Sequence, residues 1–319
     1  MRRRLLSILI GFLLSLFLLC CAEWIQRFRH PQTESDFEFN SAGFRGTELV
    51  TPKPKGRTRI FFMGASTVYG VSLPLEKTFP FLTGKLLKQF APQLDIEAVN
   101  AGRPGTTTPG ILQRLKRSGG YAPDMVVVMT GYNDAAMVYT NRVKASGTGT
   151  IMLEPWYFKV HIFLRRHSVL YTSINQKISL LLYKTPRYEM PWTDLSRQKK
   201  IQMSRAWFEN YPTQFAANIV QLSEWCQTQG VQFILVEPPL RPGLEREQPL
   251  FAEALKALIH QLQEVSRTRH ILLCRVQDQF SESEANQDFL DDVHFSARGH
   301  EKVAGTLAEF LASQLKKTL

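Results

Sequence analysis

Arg59-Ile60-Phe61-Phe62-Met63-Gly64-Ala65-Ser66-Thr67 is the stretch on which the fold reading turns. A short apolar run that stops at a glycine reads as a buried strand, and the serine beyond it then lies just past the strand end. Working outward, Phe79–Phe90 has a helical pattern and Ile96–Asn100 reads as a second strand. Ile111–Arg117 reads as a short helix. Met125–Thr130 is a strand bounded by Pro123-Asp124 and Gly131. Ala206–Thr228 has helical periodicity, and Val231–Val236 is a strand ending at Glu237-Pro238-Pro239. Helix Phe251–Val265, strand His270–Arg275 and helix Arg298–Leu315 follow. Strands alternating with helices predict an α/β domain with a parallel sheet covered on both faces. Ligands of such sheets bind at the carboxyl ends of the strands.

Composition narrows the alternatives. With 44% hydrophobic and 21% charged residues in 319, the chain is ordinary globular material, which excludes disorder, collagen and coiled coil. Four cysteines exclude a disulfide scaffold. Cys226 and Cys274 read as small buried residues in a helix and a strand, and a disulfide between them stays open. The net charge of +11 invites a nucleic-acid reading, but its distribution argues against one. Residues 1–30 carry +4 and residues 142–207 carry +9, so the rest of the chain is at −2. No nucleic-acid module accompanies that charge. No phosphate-binding loop, zinc spacing or dinucleotide fingerprint occurs either, so no metal or cofactor is expected.

Arg2-Arg3-Arg4 followed by an uncharged run from Leu5 to Ala22 predicts a signal anchor or transmembrane helix over residues 1–24. The arginines place its start inside and the remainder outside the cytoplasm. Cleavage near Cys20-Cys21-Ala22 is the alternative. Residues 25–56 read as a stalk and lead-in, and 57–319 as the main domain. That domain is interrupted at about 142–210 by a basic, aromatic-rich helical insertion containing Trp156, Tyr157, Phe163 and Leu180-Leu181-Leu182.

The residues suited to chemistry follow strand ends. Ser66, after Gly64, can present its hydroxyl at the sheet edge, where it needs a base to become a nucleophile. His294, in Asp291-Asp292-Val293-His294, has a carboxylate three residues earlier that can fix its tautomer and leave Nε2 as that base. Asp292 is the other acid within reach. Asn133, in Gly131-Tyr132-Asn133-Asp134, offers an amide to a developing oxyanion. Gly102, in Asn100-Ala101-Gly102-Arg103-Pro104-Gly105, offers an unobstructed backbone N–H. Each pattern alone is also an ordinary turn or cap.

Taken in order, Ser, Gly, Asn and Asp-x-x-His resemble the SGNH hydrolases, also called GDSL esterases and lipases, over about residues 41–141 and 215–319. Asn40-Ser41-Ala42-Gly43-Phe44-Arg45-Gly46 resembles the motif that opens membrane-anchored members. The resemblance implies a flavodoxin-like three-layer α/β/α sandwich. It makes Ser66 the nucleophile, His294 the base and Asp291 its orienting acid. Ser66, Gly102 and Asn133 become the oxyanion donors. The usual Gly-Asp-Ser reads Gly64-Ala65-Ser66 here, a change outside the triad.

The expected activity is hydrolysis of O-acyl esters, acetyl first, on an envelope or extracellular glycan. The alternatives are an O-acyltransferase on polysaccharide, a lipid esterase or lysophospholipase, and a non-catalytic glycan-binding protein on the same fold. The expected partners are an acylated small molecule, glycan or lipid, and the membrane through the N-terminal helix.

Overall fold

The computed structural model describes residues 15, 19–25, 39–137, 168, 170–171 and 214–318. The chain divides into two compact units, residues 1–37 with 152–194 and residues 38–151 with 195–319. In the first unit, residues 19–25 are helical. The Glu23 carboxylate accepts hydrogen bonds from the Ser168 hydroxyl (2.7 Å) and the Leu170 N–H (3.0 Å). Ser168 Oγ in turn accepts from the Tyr171 N–H (3.0 Å), so a serine cap and an acid meet at one helix start. Most of the expected anchor at 1–24, namely residues 1–14 and 16–18, lies outside the described residues. Among those described, no helix is long and apolar enough to cross a membrane. The expected insertion at 142–210 also lies outside them, apart from residues 168, 170 and 171.

The second unit is built on five parallel strands: β1 Arg57–Gly64, β2 Asp95–Gly102, β3 Met125–Met129, β4 Gln232–Val236 and β5 Leu272–Cys274. Their order is β2-β1-β3-β4-β5, that of flavodoxin-like folds. The helices are α1 Ser66–Tyr69, α2 Phe79–Phe90, α3 Thr108–Ser118, α4 Tyr132–Met137, α5 over 214–228, α6 Leu244–Glu247, α7 Pro249–Arg269, α8 Ala285–Asp288 and α9 Ala297–Thr318.

Side chains alternate across a strand, so an apolar run with no polar break needs cover on both faces. Phe61, Met63, Val126 and Val128 face one core with Ile111 and Leu115 of α3, Ile219 and Leu222 of α5, and Leu255 and Leu258 of α7. Ile60, Phe62, Val127 and Met129 face the other with Phe79 and Leu87 of α2 and Val303, Leu307 and Leu311 of α9. Three layers result. Cys226 and Cys274 lie in opposite cores, so the sheet stands between them and both are free thiols. Burial pushes each thiol up to about 12.

The body starts before residue 57. Phe44 is buried against Phe61, with ring centroids 5.0 Å apart. Arg45 forms an antiparallel bridge with Asn100 of β2. At the opposite end of the sheet, fully buried Arg59 binds Glu97 (2.5 Å) and donates to the carbonyls of Tyr121 (2.6 Å) and Val50 (2.9 Å). The lead-in from Phe39 onward is thus part of the folded domain. Residues 26–38 of the expected stalk are outside the described residues.

The strands finish in register: Gly64 pairs with Gly102 and with Met129, and Met129 pairs with Val236. The segments after β1, β2, β3 and β4 therefore leave one edge together. The chain turns opposite ways out of β1 and β3 there, which is where such sheets open a crevice.

Candidate active site

Ser66 is the first residue of α1, directly beyond β1 and Ala65. The tight turn depends on Gly64, where a Cβ would lie 2.3 Å from both the Met129 carbonyl oxygen and Val68 Cγ2. As the first residue of a helix, Ser66 has an N–H without an intrahelical acceptor. Its carbonyl accepts from Gly70 (2.9 Å) and Val71 (3.3 Å).

His294 reaches Ser66 across 228 residues of sequence, with Nε2 2.8 Å from Ser66 Oγ. Its Nδ1 is 2.7 Å from Asp291 Oδ2. The loop bearing both is pinched by a bridge between Phe289 and Phe295 and by a 2.7 Å bond from the Leu290 N–H to the His294 carbonyl. Phe280, Phe289 and Phe295 pack together with ring centroids 5.0–5.6 Å apart, Phe280 stacked on Phe295 and Phe289 tilted against both. Asp291 Oδ1 accepts from the N–H groups of Val293 (2.9 Å) and His294 (2.8 Å), so one carboxylate both makes the turn and orients the ring. Burial raises the Asp291 carboxyl and is the largest single influence on it. The His294 hydrogen bond and charge, with the two N–H groups, together outweigh burial and hold it below its ordinary value. Asp292, the other acid weighed for this role, instead faces Arg241 at 4.0 Å, and burial pushes its carboxyl up.

Asn133 is the second residue of α4, just past β3, and its Nδ2 donates to the Thr106 carbonyl (3.0 Å). That leaves a second amide hydrogen for another acceptor. Asp134 beside it is fully buried. It accepts from the Thr108 N–H (3.0 Å) and hydroxyl (2.7 Å) and from the Thr130 hydroxyl (3.2 Å), clamping the start of α3 to α4. Tyr132 is buried and donates to the Pro239 carbonyl (2.6 Å), which fixes the segment after β4.

Gly102 departs from expectation. Its N–H is engaged by Asn100 Oδ1 (3.1 Å). A Cβ there would lie 2.3 Å from the Tyr69 nitrogen, so this glycine serves the close approach of β2 to α1. The second glycine of the same motif, Gly105, is placed otherwise. It has φ +77°, its missing Cβ faces open space, and the neighbouring Thr106 carbonyl binds Asn133. No acceptor for the Gly105 N–H is found among the described residues. The signal in the sequence was the second Gly of Gly102-Arg103-Pro104-Gly105.

Among the described residues, no group of three or more His, Cys, Asp or Glu side chains is placed to hold a metal ion.

A serine, histidine and acid in this relay, set at the edge of a parallel sheet, are arranged for acyl transfer. The GDSL-like lipase/acylhydrolase family model matches residues 62–302, which contain every one of these groups. The chain belongs to the GDSL-like lipase/acylhydrolase family. It is an SGNH hydrolase, an enzyme class acting on ester bonds. A search of curated proteins gives no match. Among solved structures the chain is similar to Axe2, an acetylxylan esterase from Geobacillus stearothermophilus, at 16% identity over 79% of this chain and 93% of that one, with a TM-score of 0.50. It is also similar to LAE5, an alpha/beta hydrolase enzyme from the metagenome of Lake Arreo, Spain, at 16% identity, 81% and 95% coverage and a TM-score of 0.48. A third is a member of the lipolytic G-D-S-L family from Veillonella parvula, at 13% identity, 79% and 97% coverage and a TM-score of 0.46. At these identities the likeness is one of fold.

Proposed function

We infer that this SGNH hydrolase is a serine esterase that removes O-acyl groups, acetyl first, from a glycan of the cell envelope. The relay from Ser66 through His294 to Asp291 carries the reading, because it gives an ordinary hydroxyl both a base and an oriented ring. His294 Nε2 takes the Ser66 proton as Oγ attacks the ester carbonyl, forming the tetrahedral adduct. Asp291 holds Nδ1–H and stabilises the imidazolium. The oxyanion is met by the Ser66 N–H, the free amide hydrogen of Asn133 and the Gly105 N–H, which replaces Gly102 in that role. His294 then protonates the departing alcohol. Water, deprotonated by the same nitrogen, releases the acid and regenerates Ser66.

Acetyl is the first acyl group to try because Axe2 acts on acetylxylan and shares this fold. The envelope is the proposed setting because Arg2–Arg4 and the uncharged run to Ala22 have the makings of an export anchor, with the catalytic domain outside the cytoplasm.

The test is hydrolysis of p-nitrophenyl acetate and of acetylated polysaccharide by the full chain beside three variants. Ser66→Ala and His294→Ala are each expected to lower kcat by about 10,000-fold or more, and Asp291→Asn by about 100–10,000-fold. A wild type no faster than Ser66→Ala on every ester would sink the reading.

A further inference from the structure

We propose that Arg45, from the lead-in before the first strand, is a positioning residue for the nucleophile, holding the far end of the turn of helix that carries Ser66. The proposal rests on Ser66 being the nucleophile.

The helix in question, α1, has four residues. An isolated helix of that length does not persist in water, because nucleation costs more than one turn returns. Its last carbonyls have no intrahelical donors and carry the negative end of its dipole. Gly70 closes it in the left-handed conformation, φ 78° and ψ 57°. The Arg45 guanidinium lies at this end. One terminal nitrogen donates to the carbonyls of Tyr69 (2.6 Å) and Gly70 (2.9 Å), and the other donates to Leu73 (2.5 Å). The same group stacks 4.3 Å from the centroid of the Tyr69 ring. Three carbonyls converging on one planar, permanently charged fork form an arrangement that suits arginine better than lysine.

Arg45 is itself immobilised. Its N–H donates to the Asn100 carbonyl of β2 (2.8 Å), while Asn100 Nδ2 donates to Tyr69 (3.2 Å). Phe44, the preceding residue, is 1% exposed in the core. The path to the nucleophile is short. Gly70, whose carbonyl Arg45 binds, donates its N–H to the Ser66 carbonyl, and Val71 does the same. A shift of the Tyr69–Leu73 turn therefore moves Ser66 against a histidine 2.8 Å away on a separate loop. Displacement of a reacting group by about 1 Å costs on the order of 100-fold in rate.

The experiment measures p-nitrophenyl acetate kinetics and Ser66 labelling by a fluorophosphonate on the full chain. The variants are Arg45→Ala and Arg45→Lys, with Phe44→Leu as a control that loosens the same segment without touching α1. Arg45→Ala is expected to lower kcat about 10–100-fold with KM little changed, and to slow Ser66 labelling in parallel. Arg45→Lys falls between it and wild type. Non-denaturing guanidinium ion restores part of the Arg45→Ala rate and does nothing for Phe44→Leu. An Arg45→Ala protein with wild-type kcat per folded molecule overturns the proposal. So does a loss that guanidinium leaves unchanged and that follows the folded fraction, as in Phe44→Leu. A wild type that neither hydrolyses ester nor labels at Ser66 overturns the esterase reading and this proposal together, whereas a normal wild type with an unaffected Arg45→Ala overturns this one alone.

Discussion

At Gly102 an added methyl group would press on the backbone of Tyr69, with its nitrogen 2.3 Å and its Cα 2.8 Å away. Backbone cannot swing aside as a side chain can. Gly102→Ala is therefore expected to destabilise the protein by about 2–4 kcal/mol, seen as a lower urea midpoint, even though its N–H is already engaged by Asn100. Asn133→Ala should behave in the opposite way, lowering kcat about 100–1,000-fold while the midpoint moves little. The pair separates packing from chemistry at two residues that the sequence motif treats alike. Ser66, Asn133, Asp291 and His294 could be singled out in the sequence because the chemistry proposed for them resides in the side chain. Gly105, the third oxyanion donor of the proposed mechanism, was not. A backbone N–H looks the same in every residue, and Asn100-Ala101-Gly102-Arg103-Pro104-Gly105 offers two glycines whose difference is one of conformation.

Between α3 and α4 the contact that matters runs through Asp134. Its carboxylate satisfies the first N–H of α3 and two hydroxyls, all buried. Asp134→Ala leaves those donors without an acceptor. It is expected to cost about 2–3 kcal/mol and to lower kcat as well, since the clamp between α3 and α4 lies directly beside Asn133; urea unfolding and ester hydrolysis read the two effects separately. The longer elements could be read before the structure. Phe79–Phe90 was expected as a helix and is one with the same limits, because twelve residues hold more than three turns of pattern. The short helices α1, α4 and α8 could not be, since four to six residues carry no period. Strand β5 is shorter than the His270–Arg275 expected, because His270 instead ends α7 in the left-handed conformation at φ 54°. The proposed catalytic groups thus sit on the elements that pattern reads least well.

Across the molecule, one buried group makes folding sensitive to acid. His300 of α9 is 1% exposed, and its Nδ1 accepts from the Phe79 N–H at the start of α2 (3.0 Å). Burial, with the charges of Arg45 and His294 added, pushes the imidazole down to about 3 from 6.5. The native state therefore resists a proton that the unfolded chain accepts. The neutral ring contributes its full stability above about pH 6.5, and the contribution declines as pH falls towards about 3. The expected slope is about 1.4 kcal/mol per pH unit in that window. His300→Asn, which keeps an acceptor for Phe79 and does not titrate, should flatten the slope in urea unfolding measured from about pH 7 to about pH 4. The three-layer architecture was legible from alternation alone. The lead-in was not, because Phe44 and Arg45 sit in a stretch whose Gly and Pro content reads as an extended connection, and their partners lie far along the chain.

That Ser66 and His294, the proposed nucleophile and base, stand 228 residues apart has a consequence for biosynthesis. As the chain is made, Ser66 emerges early, just beyond strand β1, whose neighbours β2 and β3 follow soon after. The turn from Asp291 to His294 does not yet exist, so the serine is an unassisted alcohol for most of translation. The relay is assembled only once the turn from Asp291 to His294 has folded against Ser66.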